Sequence, residues 1–319
     1  MPKQSNTTKV ILVTGATGKQ GGAVINALLS RYPNKFTILA VTRDASSSNA
    51  KRLLEKSPSI KLVQGNLDNV PELFQVARKA HSQPIWGVYS VQISMGKGVT
   101  LESEVAQGNA LIDESIKAGV KHFVYSSVER GGDTESWENT TPIPHFQSKY
   151  QIERHLRDVT GPGGSGANMG WTILRPVAFM DNLAPGFPTK VFMAALHNHL
   201  GNKRMQWVAT SDIGVFAAKA FAEPENWNRK AVGLAGDELS WEQLNESFAG
   251  ATGSPAPATY WFFGSALTYM VTEMGLMLGW FASNGYKADI AARRKDHPEM
   301  LTMEQWLVKE SQFKTTNRS

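Results

Sequence analysis

The sequence feature that most constrains the fold is a glycine-rich turn between an apolar run and a helix-forming segment. The stretch reads VILVTGATGKQGGAVI over residues 10–25. An apolar β-branched run, spaced glycines and an amphipathic helix, in this order, are typical of a βα unit that binds a dinucleotide. Gly15 would form the tight turn, Gly18 would let the backbone approach phosphate, and Gly21 would let the helix pack on the strand. The amides and dipole of the helix N-terminus would hold the pyrophosphate.

Strand and helix signals alternate after this turn and predict a doubly wound, parallel α/β sheet. The predicted strands are Val10–Thr14, Phe36–Thr42, Ile60–Val63, Ile85–Val91, Val120–Ser127, Trp171–Leu174 and Ala231–Leu234. The predicted helices are Lys19–Arg31, Ser47–Lys56, Pro71–Ala80, Glu102–Ala118, Gln147–Val159, Asp212–Ala222, Trp241–Phe248 and Met303–Glu310. Residues 129–146 are polar and contain proline, which predicts a loop, and Met180–Gln206 lacks a clean periodicity.

The length of 319 residues suits one large α/β domain with an added lobe. We assign residues 1–177 and about 208–236 to the dinucleotide-binding domain. Residues from about 178–207 and 237–319 would form an interleaved, mainly helical lobe. That lobe is expected to cap the carboxyl ends of the strands, where ligands bind in open α/β sheets.

Composition excludes several other classes of function. The net charge is +5 without a Lys/Arg block, which argues against direct nucleic-acid binding, and the absence of cysteine excludes thiol catalysis and cysteine metal sites. The apolar segment 265–281 includes Glu273 and is too short to span a membrane. His197 and His199 lack a matching carboxylate pattern, so we predict no metal site. We expect a cytoplasmic protein.

An arginine at the end of the second predicted strand indicates which dinucleotide binds. Arg43 stands where an acidic residue would grip a ribose 2′-hydroxyl, and a guanidinium there suits a 2′-phosphate. We therefore predict NADP(H), although Asp44 follows one residue later and a solvated surface arginine is the alternative. Thr17, Lys19 and Gln20 lie in the glycine loop, where their amides can face phosphate.

Five motifs together resemble the NmrA-like family of atypical short-chain dehydrogenase/reductases, which is related to isoflavone-reductase-like enzymes. They are GATGKQG at 15–21, VTR at 41–43, VYSSVE at 124–129, HFQSKYQIE at 145–153 and LRPVAFMDN at 174–182. The match runs from about residue 10 to 310. The resemblance implies an extended Rossmann fold with a small C-terminal lobe, and NADP(H) as cofactor. Family members include reductases, many from fungal natural-product pathways, and redox-sensing regulators that bind cofactor without turnover.

The same resemblance places further cofactor contacts at the ends of strands. These contacts are Asn66, Leu67, Val91, Gln92, Phe179 and Asn182, the last two beside the nicotinamide. The family often has Gly-Asp where this chain has Gly65-Asn66. An asparagine can still accept a hydrogen bond from an adenine amino group, and a plain turn role is the alternative.

The candidate catalytic residues are His145, Lys149 and Ser127. Typical short-chain dehydrogenases carry Tyr-x-x-x-Lys, in which tyrosine donates a proton and lysine holds the ribose hydroxyls. Here His145 and Lys149 have that spacing at a helix start and would share one face. Lys149 can keep the ribose role, and His145 can replace the acid, because imidazole titrates near neutral pH. Ser126 and Ser127 end the fifth strand, where typical short-chain dehydrogenases carry an activating serine, and Ser127 is the candidate.

We weigh three functions. The first is an NADP(H)-dependent oxidoreductase that reduces a carbonyl, imine or activated double bond of a bulky apolar or aromatic molecule, in fungal-type secondary metabolism. The second, favoured by the missing tyrosine, is a non-catalytic NADP(H) sensor that binds a regulator protein. The third is a cofactor-assisted cyclase or isomerase. An aromatic and methionine-rich segment supports an apolar pocket, with core packing as the alternative: Trp261, Phe262, Phe263, Tyr269, Met270, Met274, Met277 and Trp280.

Overall fold

The computed structural model describes residues 8–94, 96, 98–260, 264 and 272–316, and its main feature is a seven-stranded sheet. The strand order is β3-β2-β1-β4-β5-β6-β9, and the neighbouring pairs from β3 to β6 are parallel. The strands are β1 (Lys9–Val13), β2 (Phe36–Thr42), β3 (Ile60–Gln64), β4 (Ile85–Ser90), β5 (His122–Ser126), β6 (Gly170–Pro176) and β9 (Lys230–Leu234). The order reverses between β1 and β4, which is the switch point at which ligands bind in such sheets.

In the described residues, helices lie between these strands and continue after the last of them. The first seven are α1 (Lys19–Arg31), α2 (Ser48–Lys56), α3 (Val70–Ala80), α4 (Leu101–Lys117), α5 (Pro144–Val159), α6 (Phe187–Leu200) and α7 (Thr210–Ala222). They are followed by α8 (Pro224–Trp227), α9 (Trp241–Thr252), α10 (Thr272–Ser283), α11 (Ile290–Asp296) and α12 (Met303–Lys309). Short 3₁₀ helices cover Leu67–Asn69, Glu135–Trp137 and Met180–Asn182.

The doubly wound α/β fold is confirmed, and the first half of the chain follows the predicted pattern closely. Helix α1 and strand β2 have the predicted bounds, and most other elements in this half differ by one or two residues at an end. The agreement has a simple cause, since strands buried on both faces are continuous apolar runs. In β2, six of the seven residues are buried. Gly119 ends α4 with a φ of 71°, in the left-handed region that favours glycine.

The structure corrects the interpretation of two segments. The sequence predicts a loop over residues 129–146, yet α5 begins at Pro144 because a proline suits the first turn of a helix. Within Met180–Gln206, α6 occupies fourteen residues, and buried side chains lie along its whole length from Thr189 to Leu200. A helix with buried residues on several faces shows no amphipathic stripe in its sequence.

A second, three-stranded sheet is also new relative to the sequence prediction. Its strands are β7 (Ala178–Phe179), β8 (Met205–Val208) and β10 (Asp237–Leu239), in the order β10-β8-β7. β8 pairs antiparallel with β10 and parallel with β7. Strands of two to four residues are too short for a period-two pattern to be recognised.

The chain divides into two compact units. The first contains residues 1–127, 151–174 and 213–231, and the second contains 128–150, 175–212 and 232–319. The first unit has its core in the central strands, where Ile11, Leu39 and Val88 are fully buried. The second unit has a separate apolar core that includes Phe146, Trp207, Phe248 and Trp306. The roles assigned to the two predicted domains stay a prediction.

Membrane-spanning capacity can be judged for the described part of the chain. Among those residues, no helix combines the length and the apolar character that a span requires. The apolar segment 265–281 lies partly outside the described residues, and its described portion belongs to α10, which has twelve residues.

Candidate functional site

The glycine turn has the geometry that the sequence predicts. Gly15 has a φ of +59°, which an L side chain rarely adopts. A Cβ atom at Gly21 would lie 2.3 Å from the Gly15 carbonyl oxygen, so only glycine lets α1 pack this closely on the turn. Gly18 is the N-cap of α1, and this cap has no side-chain hydrogen bond and no acidic residue in the following turn. The helix N-terminus is therefore suited to an anion.

Side chains from neighbouring strands hold this turn in place. The Thr14 Oγ1 atom accepts a hydrogen bond from the Val91 amide at 2.8 Å and lies 3.1 Å from the Tyr89 carbonyl oxygen. Gln20 Oε1 accepts hydrogen bonds from Ser126 Oγ at 2.6 Å and from the Tyr89 hydroxyl at 3.2 Å. The Gln20 side chain is thus engaged by β4 and β5, which leaves its main-chain amide for an anion.

The end of β2 carries an exposed arginine next to an engaged aspartate. Arg43 is exposed, directly after the last residue of β2. Asp44 Oδ1 accepts hydrogen bonds from the Ser46 amide at 2.8 Å and from Ser46 Oγ at 2.6 Å. These bonds lower the pKa of Asp44 below its usual value. The carboxylate is therefore occupied in the turn that leads to α2, while Arg43 faces solvent.

Asn66 takes part in a local turn at the end of β3. Its Oδ1 atom accepts from the Asp68 amide at 3.4 Å, and its Nδ2 atom donates to Asp68 Oδ2 at 2.5 Å. Asn66 thereby caps the 3₁₀ helix that begins at Leu67. Asn66 is exposed and Leu67 is half-buried. A contact between Asn66 and adenine stays a prediction. The Asn66 side chain would have to bind adenine while it also contacts Asp68.

The side chain of Gln92, two residues after β4, is buried. Its Nε2 atom donates to Ser90 Oγ at 2.9 Å. Within the described part of the chain, its Oε1 atom has no hydrogen-bond partner. A buried acceptor without a donor is costly, and a bound hydroxyl would satisfy it. Gln92 immediately follows Val91, whose amide is held by Thr14.

Ser127 lies one residue beyond β5. It is buried, and its amide donates to the Leu174 carbonyl oxygen at 2.8 Å, which continues the pairing of β5 with β6. The neighbouring Ser126 uses its hydroxyl for Gln20, a contact that the sequence did not predict. The two serines therefore have different surroundings, and the catalytic role of Ser127 stays a prediction.

The second unit contains His145 and Lys149, one helical turn apart near the start of α5. Lys149 is buried, which is unusual for lysine. The His145 Nδ1 atom lies 2.5 Å from Glu273 Oε1, and the same oxygen accepts from the His145 amide at 3.3 Å. Sequence reasoning missed Glu273 as a partner. The sequence distinguishes Glu273 in one respect, because it is the single charged residue within the apolar segment 265–281.

A second missed residue is Glu129, a fully buried carboxylate just after β5. It accepts hydrogen bonds from the amides of Gly131, Gly132 and Lys287. Burial raises the pKa of Glu129 above its usual value, although these three donors oppose the effect. The neighbouring Tyr286 is half-buried, and its pKa is raised by loss of solvation and by the charge of Glu129. Glu129 thus joins the loop after β5 to the chain before α11.

The residues after β6 lie in the second unit. Phe179 is half-buried in β7 opposite Val208, and Asn182 is exposed at the end of a 3₁₀ helix. Between them, Asp181 accepts from the Thr210 amide at 2.8 Å and from Thr210 Oγ1 at 2.5 Å. Asp181 therefore stabilises the start of α7. Contacts of Phe179 and Asn182 with a nicotinamide stay predictions.

Part of the predicted apolar pocket lies in the described residues. Trp280 is buried and packs edge-to-face against Phe146 and Tyr286, so it belongs to the core of the second unit. Met274 and Met277 are half-buried and pack against the same core. The other members of that segment, Trp261, Phe262, Phe263, Tyr269 and Met270, lie outside the described residues.

The two histidines of α6 have separate structural partners. The His197 ring stacks on Trp241 with a centroid separation of 4.5 Å. His199 Nδ1 lies 2.9 Å from the Ala195 carbonyl oxygen. Within the described residues there is no group of three or more His, Asp or Glu side chains that could hold a metal ion.

Comparison with known proteins shows the family. The model of the NmrA-like family matches residues 7–307. The chain belongs to the NmrA-like family. This result confirms the resemblance carried by the five sequence motifs. The match covers the glycine turn, Arg43 and the His145–Lys149 pair in one alignment.

Relatives of this NmrA-like protein include proteins named as oxidoreductases. The NmrA-like family domain-containing oxidoreductase lnaB of Aspergillus flavus is 28% identical over 78% of this chain and 74% of its own. The crystal structure of NmrA, a negative transcriptional regulator, in complex with NADP has a TM-score of 0.68 at 18% identity and covers 95% of each chain. Triphenylmethane reductase from Citrobacter sp., solved with NADP(H), has a TM-score of 0.69 at 18% identity over 95% of this chain and 100% of its own. The two structures establish likeness of fold.

The first unit of this NmrA-like chain has the features that a dinucleotide needs. In the glycine turn, α1 packs so closely on the Gly15 and Thr14 carbonyl oxygens that a Cβ atom at position 21 would clash. The α1 N-terminus has no competing acidic residue in its first turn. Gln92 Oε1 is an unpaired buried acceptor within the described residues, two positions after β4. The residues present therefore fit a pyrophosphate and a hydroxyl-bearing ribose.

Proposed function

We propose that this NmrA-like protein is an NADP(H)-dependent oxidoreductase that acts on a bulky apolar or aromatic small molecule. The observation that carries the cofactor preference is the exposed Arg43 beside an Asp44 whose carboxylate is held by Ser46. A free carboxylate here would repel a 2′-phosphate and bind a ribose hydroxyl, whereas a guanidinium binds phosphate through charged hydrogen bonds. Relatives named as oxidoreductases support the reaction class.

The proposal gives the chain's own residues distinct tasks. The cofactor supplies a hydride when it is bound. Amides of the glycine turn and of the α1 N-terminus hold its phosphates, and Arg43 selects the 2′-phosphate. Lys149 holds the ribose, and His145 gives the proton that accompanies reduction of a carbonyl, imine or activated double bond. Lys149 is buried one helical turn from His145, which is the spacing at which short-chain dehydrogenases carry the lysine that holds the ribose hydroxyls.

An apolar substrate is supported by the surroundings of His145. The His145 ring contacts the Phe146 ring edge-to-face at 4.8 Å, and Met274 follows its partner Glu273 along α10. Phe146 belongs to the core of the second unit, whereas Met274 is half-buried, and methionine side chains adapt to bulky apolar molecules. The class of molecule is thus proposed from the apolar side chains beside the candidate proton donor.

The cofactor proposal is tested by replacing Arg43 with alanine. Loss of a charged phosphate contact is expected to raise the Kd for NADPH by about 10- to 100-fold, and the Kd for NADH by less than about threefold. Arg52→Ala is the matched control, because Arg52 is an exposed arginine on α2, and it should leave both constants unchanged. Fluorescence titration of both nucleotides measures the constants. Equal losses of NADPH and NADH affinity in Arg43→Ala would refute the role.

A cofactor-binding sensor is the second candidate function, and one residue favours it. Position 145 holds histidine where typical short-chain dehydrogenases have tyrosine. A sensor would bind NADPH and show the Arg43 dependence, yet it would not consume NADPH with any member of a panel of aromatic carbonyls, imines and quinones. Consumption of NADPH with one member of that panel excludes a purely sensing role.

A further inference from the structure

The contact between His145 and Glu273 has a geometry that an incidental surface pair would lack. One carboxylate oxygen, Glu273 Oε1, is shared by the His145 ring at 2.5 Å and the His145 main-chain amide at 3.3 Å. The amide belongs to the first turn of α5, where N–H groups have no partner within the helix. The carboxylate is therefore held at the helix N-terminus even without the imidazole, in a position that is favourable for negative charge.

The burial of the two side chains is unequal. The His145 side chain is 13% exposed, whereas the Glu273 side chain is 34% exposed. Water can therefore reach the carboxylate, but the ring is largely enclosed and has Phe146 against it. An enclosed ring depends on its protein partner for orientation, because solvent supplies few alternative hydrogen bonds.

The contact also determines which ring nitrogen carries the proton. Carboxylate oxygens only accept hydrogen bonds, so a 2.5 Å contact requires a proton on Nδ1. In the neutral ring, Nε2 is then the unprotonated nitrogen. In the doubly protonated ring, Nε2 carries the proton that can be transferred, and the nearby carboxylate compensates the positive charge.

We propose that Glu273 is a positioning residue that fixes His145 in the Nδ1–H form and leaves Nε2 to exchange a proton with the substrate. This inference rests on the proposed oxidoreductase function. In the reducing direction, Nε2–H gives its proton to the oxygen or nitrogen of the group that gains the hydride at carbon. The ring then becomes neutral and keeps its Nδ1–H on Glu273, and water restores the Nε2 proton. A proton and a hydride together account for the two hydrogens that the product gains.

The test is the tautomer of His145, measured by long-range ¹H–¹⁵N NMR on protein labelled at histidine and saturated with NADPH. His145→Gln assigns the resonance. At mildly alkaline pH, wild-type protein should show a protonated Nδ1 and an unprotonated Nε2. Glu273→Gln keeps an acceptor oxygen and should retain the Nδ1–H form, whereas Glu273→Leu should shift the ring to the commoner Nε2–H form. Glu246→Gln, an exposed glutamate on α9, should change nothing.

The outcomes separate this inference from the proposed function. Nε2–H in the wild-type protein overturns the positioning role, whether or not NADPH is consumed. The positioning role is equally overturned if Glu273→Leu, folded and able to bind NADPH, keeps the wild-type tautomer. Failure of wild-type protein to bind NADPH, with the Nδ1–H tautomer intact, would count against the proposed function instead. With any aromatic carbonyl found to be a substrate, Glu273→Leu should lower kcat at least tenfold and leave the Kd for NADPH within about twofold.

Discussion

Replacing Gly21 with alanine tests whether close packing of α1 on the glycine turn governs both stability and cofactor binding. The new Cβ atom would lie 2.3 Å from the Gly15 carbonyl oxygen and 2.7 Å from the Thr14 carbonyl oxygen. Ordinary contacts begin near 3.4 Å, so the overlap is about 1 Å and both obstacles are main-chain atoms. Such overpacking costs about 1–3 kcal/mol, and the better helix propensity of alanine offsets less than about 1 kcal/mol. We expect the free energy of unfolding to fall by about 1–2 kcal/mol.

Gly22→Ala is the matched control, because it adds the same methyl group one residue further along α1. Its Cβ atom would meet the Ala16 carbonyl oxygen at 3.7 Å, an ordinary contact. We expect unchanged or slightly higher stability, by up to about 1 kcal/mol. Urea unfolding measures stability, and fluorescence titration measures NADPH binding, which should weaken about tenfold or more in Gly21→Ala as the turn opens. Identical unfolding midpoints and NADPH affinities for the two variants would refute the reasoning.

Two further predictions concern the second unit. Glu129→Gln places an amide N–H₂ among three main-chain donors and should destabilise the protein by about 1–3 kcal/mol. Burial raises the pKa of Glu129 in the folded state above the usual value of about 4.5. The contribution of Glu129 to the free energy of unfolding of the wild-type protein is therefore lost as the pH rises from about 4.5 through the folded-state pKa. The difference in the free energy of unfolding between wild type and Glu129→Gln, measured in urea, should therefore shrink as the pH rises. A difference that grows with pH would contradict a raised pKa of Glu129. Asp181→Ala removes two hydrogen bonds to Thr210 and should cost about 0.5–2 kcal/mol by the same assay. Asp181→Asn should lose less, and equal losses would argue against capping.

The Rossmann half of the fold could be predicted because its signals are local. The glycine spacing specifies a turn, and strands such as β2 are continuous apolar runs bounded by polar residues. Capping residues are local signals of the same kind, since Ser240 and Gln243, three positions apart, form the capping box of α9. In each case a few neighbouring residues determine the structure.

The second unit resisted prediction because its order arises from distant contacts. Helix α6 has buried residues on several sides and therefore lacks a helical hydrophobic stripe, and β7 has only two residues. Among the site residues, Glu273 lies 128 positions from His145. A single sequence contains the residue types but not the pairing. The position of His145 was thus accessible, whereas its hydrogen-bond partner was not.

The attachment of Gln20 to Tyr89 and Ser126 has a thermodynamic consequence for ligand binding. These bonds, together with those of Thr14, restrict the turn before any ligand arrives. The loss of backbone freedom is therefore largely incurred during folding, and association with an anion requires little additional ordering. Substitution of Gln20 would weaken binding mainly through a larger entropic penalty, even though its side-chain oxygen faces the strands. Calorimetry of a Gln20→Ala variant would then show an unfavourable change in binding entropy with a nearly unchanged enthalpy.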